Sequence, residues 1–231
     1  DVQQNCLYYA VDAWGQGKKI YHLDHGCIKG TDFNTLWDII NQTYYNEKGQ
    51  DWYIDLALID SGDQTDLVYD FCYLHFPLTV PVKGSSRPIP ARFRRSEIQK
   101  EDSVAKGLSL IMCDGSYYKS MLYAKINAVD GSFQVFDGVD QEYCEQVTSE
   151  HKVFERKNGV ESWVWQKKTS DAQNHYLDCE VYASCAADLM GAFALLEEPV
   201  EQPEAEVSAE PEEDGWNSDT WDNDDWEDDW D

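Results

Sequence analysis

Residues 51–84 read DWYIDLALIDSGDQTDLVYDFCYLHFPLTVPVKG. The first ten read as a strand that ends in Asp60. Ser61-Gly62 supply a turn, and SGDQTDLVYDFCYLHF then reads as a helix. LTVPVKG follows as a short strand with Lys83 at its far end.

Upstream, residues 1–30 (DVQQNCLYYAVDAWGQGKKIYHLDHGCIKG) alternate apolar and polar side chains on both sides of Gly15-Gln16-Gly17. That pattern predicts a hairpin followed by a third strand or by an extension of the second. TDFNTLWDIINQTYY predicts a helix, with Thr31 or Asp32 as cap and Phe33, Leu36, Trp37 and Ile40 on one face. Three antiparallel strands, helix, strand, helix, strand is the order of the ribonuclease H-like fold, an α/β class with a mixed sheet flanked by helices. In it the strand containing Asp1 lies beside the strand ending in Asp60. The chain opens at Asp1 with no initiator Met, inside what reads as a strand, as a piece of a longer protein would.

Downstream, GLSLIMCDGSYYKSMLYAKIN reads as strand and helix, VDQEYCEQVTSE as a helix, and HKVFERKNGVESWVWQKK as an added β-hairpin about Asn158-Gly159. The last helix begins in NHYLDCEVYA, residues 174–183. His175, Asp178, Cys179 and Tyr182 fall on one stripe of it, so Asp178 points inward or into a cleft. A carboxylate out of water needs a partner. Either a nearby Lys, Arg or backbone N–H holds it, or it is a metal ligand meeting other acids.

No run of about 18 apolar residues and no signal-peptide pattern occurs, so a membrane span is not expected. The seven cysteines (6, 27, 72, 113, 144, 179 and 185) are odd in number and form no C-x-x-C pair. They read as reduced thiols of an intracellular protein. The net charge of −27 is uneven: residues 197–231 hold 17 acids and no Lys or Arg, which leaves 28 acids and 18 bases in residues 1–196. Within those, Lys83, Arg87, Arg92, Arg94, Arg95 and Lys100 face only Glu97 between residues 83 and 100. This is either a phosphate-binding loop or a solvated surface loop.

Magnesium or manganese prefers hard oxygen ligands, and two such ions can together activate a water and stabilise a leaving oxygen in phosphodiester hydrolysis. Asp1, Asp60 and Asp178, on three separate elements, suit that chemistry. His175 has several readings: an outer ligand, a group that orients water, a phosphate donor, or a hydrogen-bonded helix residue. Lys83 either places an ammonium against the phosphate or is an ordinary strand-end lysine.

In order and spacing, DVQ…VDAWG…IKG, IDSG…VYDFC, VPVKG and NHYLDCEVYA resemble the nuclease domain of the lambda-type (GpA-like) phage terminase large subunit over about residues 1–190. The resemblance implies a metal-dependent DNA endonuclease that cuts concatemeric double-stranded DNA in the host cytoplasm, with two Mg2+ or Mn2+ ions at an acidic site. Asp1 matches its first-strand aspartate, Asp60 that of the Asp-Ser/Thr-Gly block, Lys83 the lysine of the Val-Lys-Gly block, and Asp178 the aspartate of the Leu-Asp-Cys block. His175 matches a position where some relatives carry an acid. It further implies a small terminase subunit, a portal and procapsid, and a packaging ATPase expected upstream. No G-x-x-x-x-G-K-[ST] occurs here, so these residues are not expected to hydrolyse ATP. Two alternatives stay open: a non-catalytic adaptor of the motor, and another ribonuclease H-like nuclease such as a junction resolvase.

Residues 197–231 are Pro-, Glu- and Ala-rich and then strongly acidic, which predicts a disordered tail after a domain spanning 1–196. Trp216, Trp221, Trp226 and Trp230 stand among its acids. Tryptophan is enriched in binding hot spots. The expectation is a tether that docks on the portal; the alternatives are a partnerless acidic end and a DNA mimic that occupies the basic loop.

Overall fold

The computed structural model describes residues 1–85, 87–157 and 159–195, so the tail expected over 197–231 and its four tryptophans lie outside the described residues, as does Asn158. Its elements follow in the order β1 (Cys6–Trp14), β2 (Ile20–Lys29), α1 (Phe33–Ile40), β3 (Tyr44–Tyr45), β4 (Asp51–Trp52), β5 (Ala57–Asp60), α2 (Thr65–Leu74), β6 (Thr79–Gly84), β7 (Phe93–Glu97), β8 (Ser109–Cys113), α3 (Gly115–Ile126), β9 (Phe133–Val135), α4 (Gln141–Val147), β10 (Glu150–Lys157), β11 (Val160–Lys167) and α5 (His175–Leu189).

β1 and β2 form the expected hairpin, and β2 runs unbroken to Lys29. Asp32 caps α1, its carboxylate accepting the N–H groups of Asn34 and Thr35. Residues 51–60 divide where one strand was expected. Asn46 Oδ1 accepts from the N–H groups of Lys48 and Gln50, a turn that folds Asp51–Trp52 back onto Tyr44–Tyr45, so only Ala57–Asp60 continues as β5.

The single mixed sheet of the sequence reading is two sheets. One has the order β1-β2-β9, with β9 parallel to β2. The other, β5-β6-β8-β7, is parallel except for its edge strand β7. Among the described residues β1 does not pair with β5. Asp1 also stands outside β1: a turn at Gln3–Asn5 reverses the chain, and the Asp1 nitrogen and carbonyl bond to the Tyr8 carbonyl and N–H (2.8 and 2.9 Å). Contact with β5 runs instead through the core, where Val2 and Leu7 pack with Ile59, Val68 and Phe71. The expected basic loop contains the strand β7, on which Arg94 and Arg95 sit opposite Met112 and Ile111.

Val80 and Val82 of β6 and Ile111 of β8 face a second core with Tyr118 and Leu122 of α3 and Leu177, Val181 and Cys185 of α5. The parallel sheet is thus covered on both faces, which is why LALID, TVPVKG and SLIMC lack polar alternation. Two cysteines depart from the reduced-thiol reading. Tyr8↔Cys27 and Cys6↔Lys29 are cross-strand partners, so Cys6 and Cys27 stand diagonally with Cα atoms 6.1 Å apart and are joined as a disulfide. The other five are free. No helix among the described residues is long and apolar enough to cross a membrane.

Near its end α5 is tied to the segment before β7. Arg92 grips Asp188 through Nε (2.9 Å) and Nη2 (3.0 Å), and Tyr118 Oη donates to Asp188 Oδ2 (2.9 Å). Asp188→Ala strands the buried Tyr118 hydroxyl and should lower unfolding stability by about 1–3 kcal/mol in urea titrations. Tyr118→Phe, which leaves the arginine in place, should cost less. An Asp188→Ala protein as stable as its parent would show that this anchor contributes nothing.

Candidate active site

Asp60 is the last residue of β5, and its Oδ1 accepts the Gly62 N–H (3.0 Å). The turn is tight: a Cβ at position 62 would stand 3.3 Å from that oxygen. Ser61 is fully buried and donates both its N–H (2.8 Å) and its hydroxyl (2.9 Å) to the Val82 carbonyl. These bonds lock the end of β5 to β6, where Asp60 pairs with Val82 and the next residue is Lys83. Both functional side chains therefore stand at the carboxyl ends of parallel strands, the crevice where open α/β sheets bind ligands. Gly84 then lets α5 come close, since a Cβ there would lie 3.3 Å from Tyr182 Oη. The first turns of α5 are thereby held at the strand ends.

Asp178, in the first turn of α5, has the lysine partner that the simpler sequence reading required. Lys119 Nζ lies 3.3 Å from its Oδ1 and 2.8 Å from Glu150 Oε1, while Asn174 Nδ2 donates to Glu150 Oε1 (2.9 Å) and to Asp178 Oδ2 (3.1 Å). Burial still raises the Asp178 pKa above the usual carboxylate range, with Lys119 opposing and Glu150 adding to the rise. Burial also raises Asp60; the Gly62 N–H and Lys83 pull it down, and the charge of Asp178 pushes it up. Tyr182 is raised by burial and then by the charges of both aspartates. Asp60, Asp178, Lys83 and Tyr182 thus share one electrostatic neighbourhood.

Asp1 is held differently. Its carboxylate, 5% exposed, accepts from Gln3 Nε2 (3.0 and 3.1 Å) and meets His175 Nδ1 at 2.7 Å. His175 stacks on Tyr8 (centroids 4.4 Å apart), and its Nε2 lies 2.7 Å from Gln173 Oε1. Burial depresses the His175 pKa. A carboxylate and an amide oxygen only accept, so each ring nitrogen is placed to donate, Nδ1 to Asp1 and Nε2 to Gln173. Beside His175 opens a cleft of ≈ 310 Å³ that also exposes Gln3, Asn5, Tyr8 and Asp63.

Among the described residues Asp1, Asp60 and Asp178 do not bring ligand atoms within 4.8 Å of one another. The donor chemistry nevertheless suits a hard dication: carboxylate oxygens on two elements, both with ionisation disfavoured by burial, with Asp60 Oδ1 accepting the Gly62 N–H. Of the basic residues, Arg87, Arg94 and Arg95 are exposed. Arg92 is engaged by Asp188 and Lys100 by Asp66.

Lys119, Glu150, Asn174 and Tyr182 did not emerge as site residues from the sequence. Asn174 and Tyr182 carried a signal, lying one turn on either side of Asp178 at i−4 and i+4. Lys119 and Glu150 come from separate elements and carried none.

The raised Asp60 pKa has a defined consequence for the metal-free protein. A carboxyl group with a raised folded-state pKa adds stability below its unfolded value, and that contribution is lost as pH rises through the folded value. In EDTA, Asp60→Asn should therefore melt at or above its parent at pH 7, with the gap closing as pH falls to about 4. An Asp60→Asn midpoint several degrees below the parent at pH 7 would mark Asp60 as a structural partner instead.

Comparison with curated proteins and with solved structures gives no match. Comparison with protein families does: residues 1–195, from the Asp1 turn to the end of the described chain, match the terminase large subunit gpA endonuclease domain. That span includes both sheets, α5 and the Asp60–Asp178 neighbourhood, and the chain belongs to the family of the gpA endonuclease domain.

Proposed function

We propose that residues 1–196 cut concatemeric double-stranded DNA during viral genome packaging, by divalent-metal-dependent phosphodiester hydrolysis at Asp60 and Asp178. One observation carries this reading: two aspartates from separate elements, both with ionisation disfavoured by burial, couple electrostatically at the strand ends, where Lys83 also acts on Asp60. Asp60 and Asp178 would hold Mg2+ or Mn2+, and Asp1 would join them on release from His175 and Gln3. The ions supply Lewis acidity toward the phosphate and toward water.

The chain's own groups do the rest. Lys83 sets an ammonium against the phosphate charge that builds up during displacement. His175, oriented by Asp1 at Nδ1 and by its stack on Tyr8, would turn its Nε2 N–H from Gln173 to a phosphate oxygen. Lys119 and Asn174 fix the Asp178 carboxylate from both oxygens. The exposed Arg87, Arg94 and Arg95 supply a sequence-independent hold on the DNA backbone. Residues 197–231 act as a tether, with Trp216, Trp221, Trp226 and Trp230 docking on the portal of the procapsid; the small terminase subunit is a further partner.

In Mn2+, Asp60→Asn and Asp178→Asn should each abolish plasmid cleavage while the folded chain still binds DNA. Lys83→Ala should reduce the cleavage rate far more than DNA affinity, because only interactions that strengthen in the transition state raise the chemical rate. Full cleavage by either aspartate variant would exclude this site.

Deleting residues 215–231 should leave cleavage of free DNA intact and eliminate procapsid binding. Tighter DNA binding and faster cutting by the truncated chain at low salt would indicate a DNA mimic in place of a portal tether.

A further inference from the structure

A second group of potential metal donors lies away from the DNA-cutting site. Asp12, His22 and Glu180 present ligand atoms all within 4.8 Å of one another. His22 Nδ1 is 2.9 Å from Asp12 Oδ1 and 3.3 Å from Glu180 Oε1, and the three side chains are 0–1% exposed. The backbone builds this cluster deliberately. Asp12 and His22 are direct cross-strand partners at a β-bulge, where Leu23 is the unpaired extra residue. In a regular strand His22 and His25 would face opposite sides; the bulge turns them to one side, with His22 Nε2 3.0 Å from His25 Nδ1.

Asp140 Oδ2 accepts from His25 Nε2 (3.1 Å), which leaves His25 Nδ1 to face His22 Nε2. His22 Nδ1 faces two carboxylates, an arrangement that is attractive only with a proton or a metal ion between them. A proton on Nδ1 serves one carboxylate oxygen and still leaves Asp12 Oδ2 and Glu180 Oε2 buried without a partner. Burying an uncompensated charge is costly. A dication with neutral imidazole cancels both carboxylates.

We propose that Asp12, His22 and Glu180 form a closed structural site for one transition-metal dication of the zinc type, which fastens the β1–β2 hairpin to α5. The spacings fit: donors about 2.1 Å from zinc lie about 3.4 Å apart in a tetrahedron, and about 3.0 Å apart when six-coordinate. Mixed imidazole and carboxylate donors suit zinc-like ions, whereas Mg2+ keeps several waters that a sealed site does not admit. The His22–His25–Asp140 relay is the outer hydrogen bonding that metal-bound histidines use, and Tyr143 Oη steadies Glu180 Oε1 at 2.8 Å. Because the site is closed, it holds structure and does not touch DNA.

The test uses the full 231-residue chain carrying Asp60→Asn and Asp178→Asn, so that ions at those carboxylates do not contribute and no readout depends on cleavage. The protein is refolded with Zn2+ or Co2+, desalted and assayed by elemental analysis, visible absorption and thermal melting. The expected result is about one bound equivalent, Co2+ d–d bands, and a midpoint that falls on refolding in EDTA. Adding His22→Gln should remove the equivalent and the bands. Should that variant not fold, the Co2+ spectrum of the His22-containing protein decides alone. No retained metal and no bands in that protein would overturn the proposal in favour of a proton-only network, as would an equivalent that survives His22→Gln in a folded chain.

Discussion

The structure depends on one constraint: α5 is buried on most sides and yet carries acids on three of its faces. Asp178, Glu180 and Asp188 project from a helix with no lysine or arginine of its own, so each must find its counter-charge on another element. Lys119 of α3 reaches Asp178, His22 of β2 reaches Glu180, and Arg92 before β7 reaches Asp188. Each pairing draws a different part of the fold onto the same helix. Apolar burial of Leu177, Val181 and Cys185 sets the contact, and the acids set which neighbours are accepted.

The three pairs differ in what they leave unsatisfied. Asp188 is fully met, by the arginine fork and a tyrosine hydroxyl, and serves as an anchor. Asp178 shares Lys119 with Glu150 and keeps a raised pKa, so it holds residual demand for positive charge while its side chain stays about one-third exposed. Glu180 shares His22 with Asp12 in a sealed interior; hydrogen bonds and charge from these acids outweigh burial and lift His22 to about 9. Residual demand near solvent suits a dissociable ion and an anionic substrate. In the interior it suits a permanently held cation.

Glycine placement converts this electrostatic arrangement into a site. Gly62 permits the turn that orients Asp60, and Gly84 permits the approach of Tyr182, so the β5 and β6 ends and the α5 start converge without side-chain obstruction. The same two glycines terminate the IDSG and VKG blocks.

Local pattern was enough to determine the β1–β2 hairpin, the start of α1 at Thr31 or Asp32, α2, α5, the strand end at Asp60 and the place of Lys83 near the end of its strand, because period, capping and turn chemistry act over a few residues. Membership of the gpA endonuclease family was legible for the same reason, from ordered short blocks. The break in residues 51–60, the division into two sheets and the Cys6–Cys27 pairing were not, since each depends on which distant backbone meets which. Nor was the company of the acids. Sequence spacing put Asp178 and His175 on one stripe, but Lys119, Glu150 and His22 arrive from elements 28 to 158 residues away, and only packing of those elements on α5 could select them. Charge partners in a buried site are chosen by three-dimensional proximity, which no window of sequence contains.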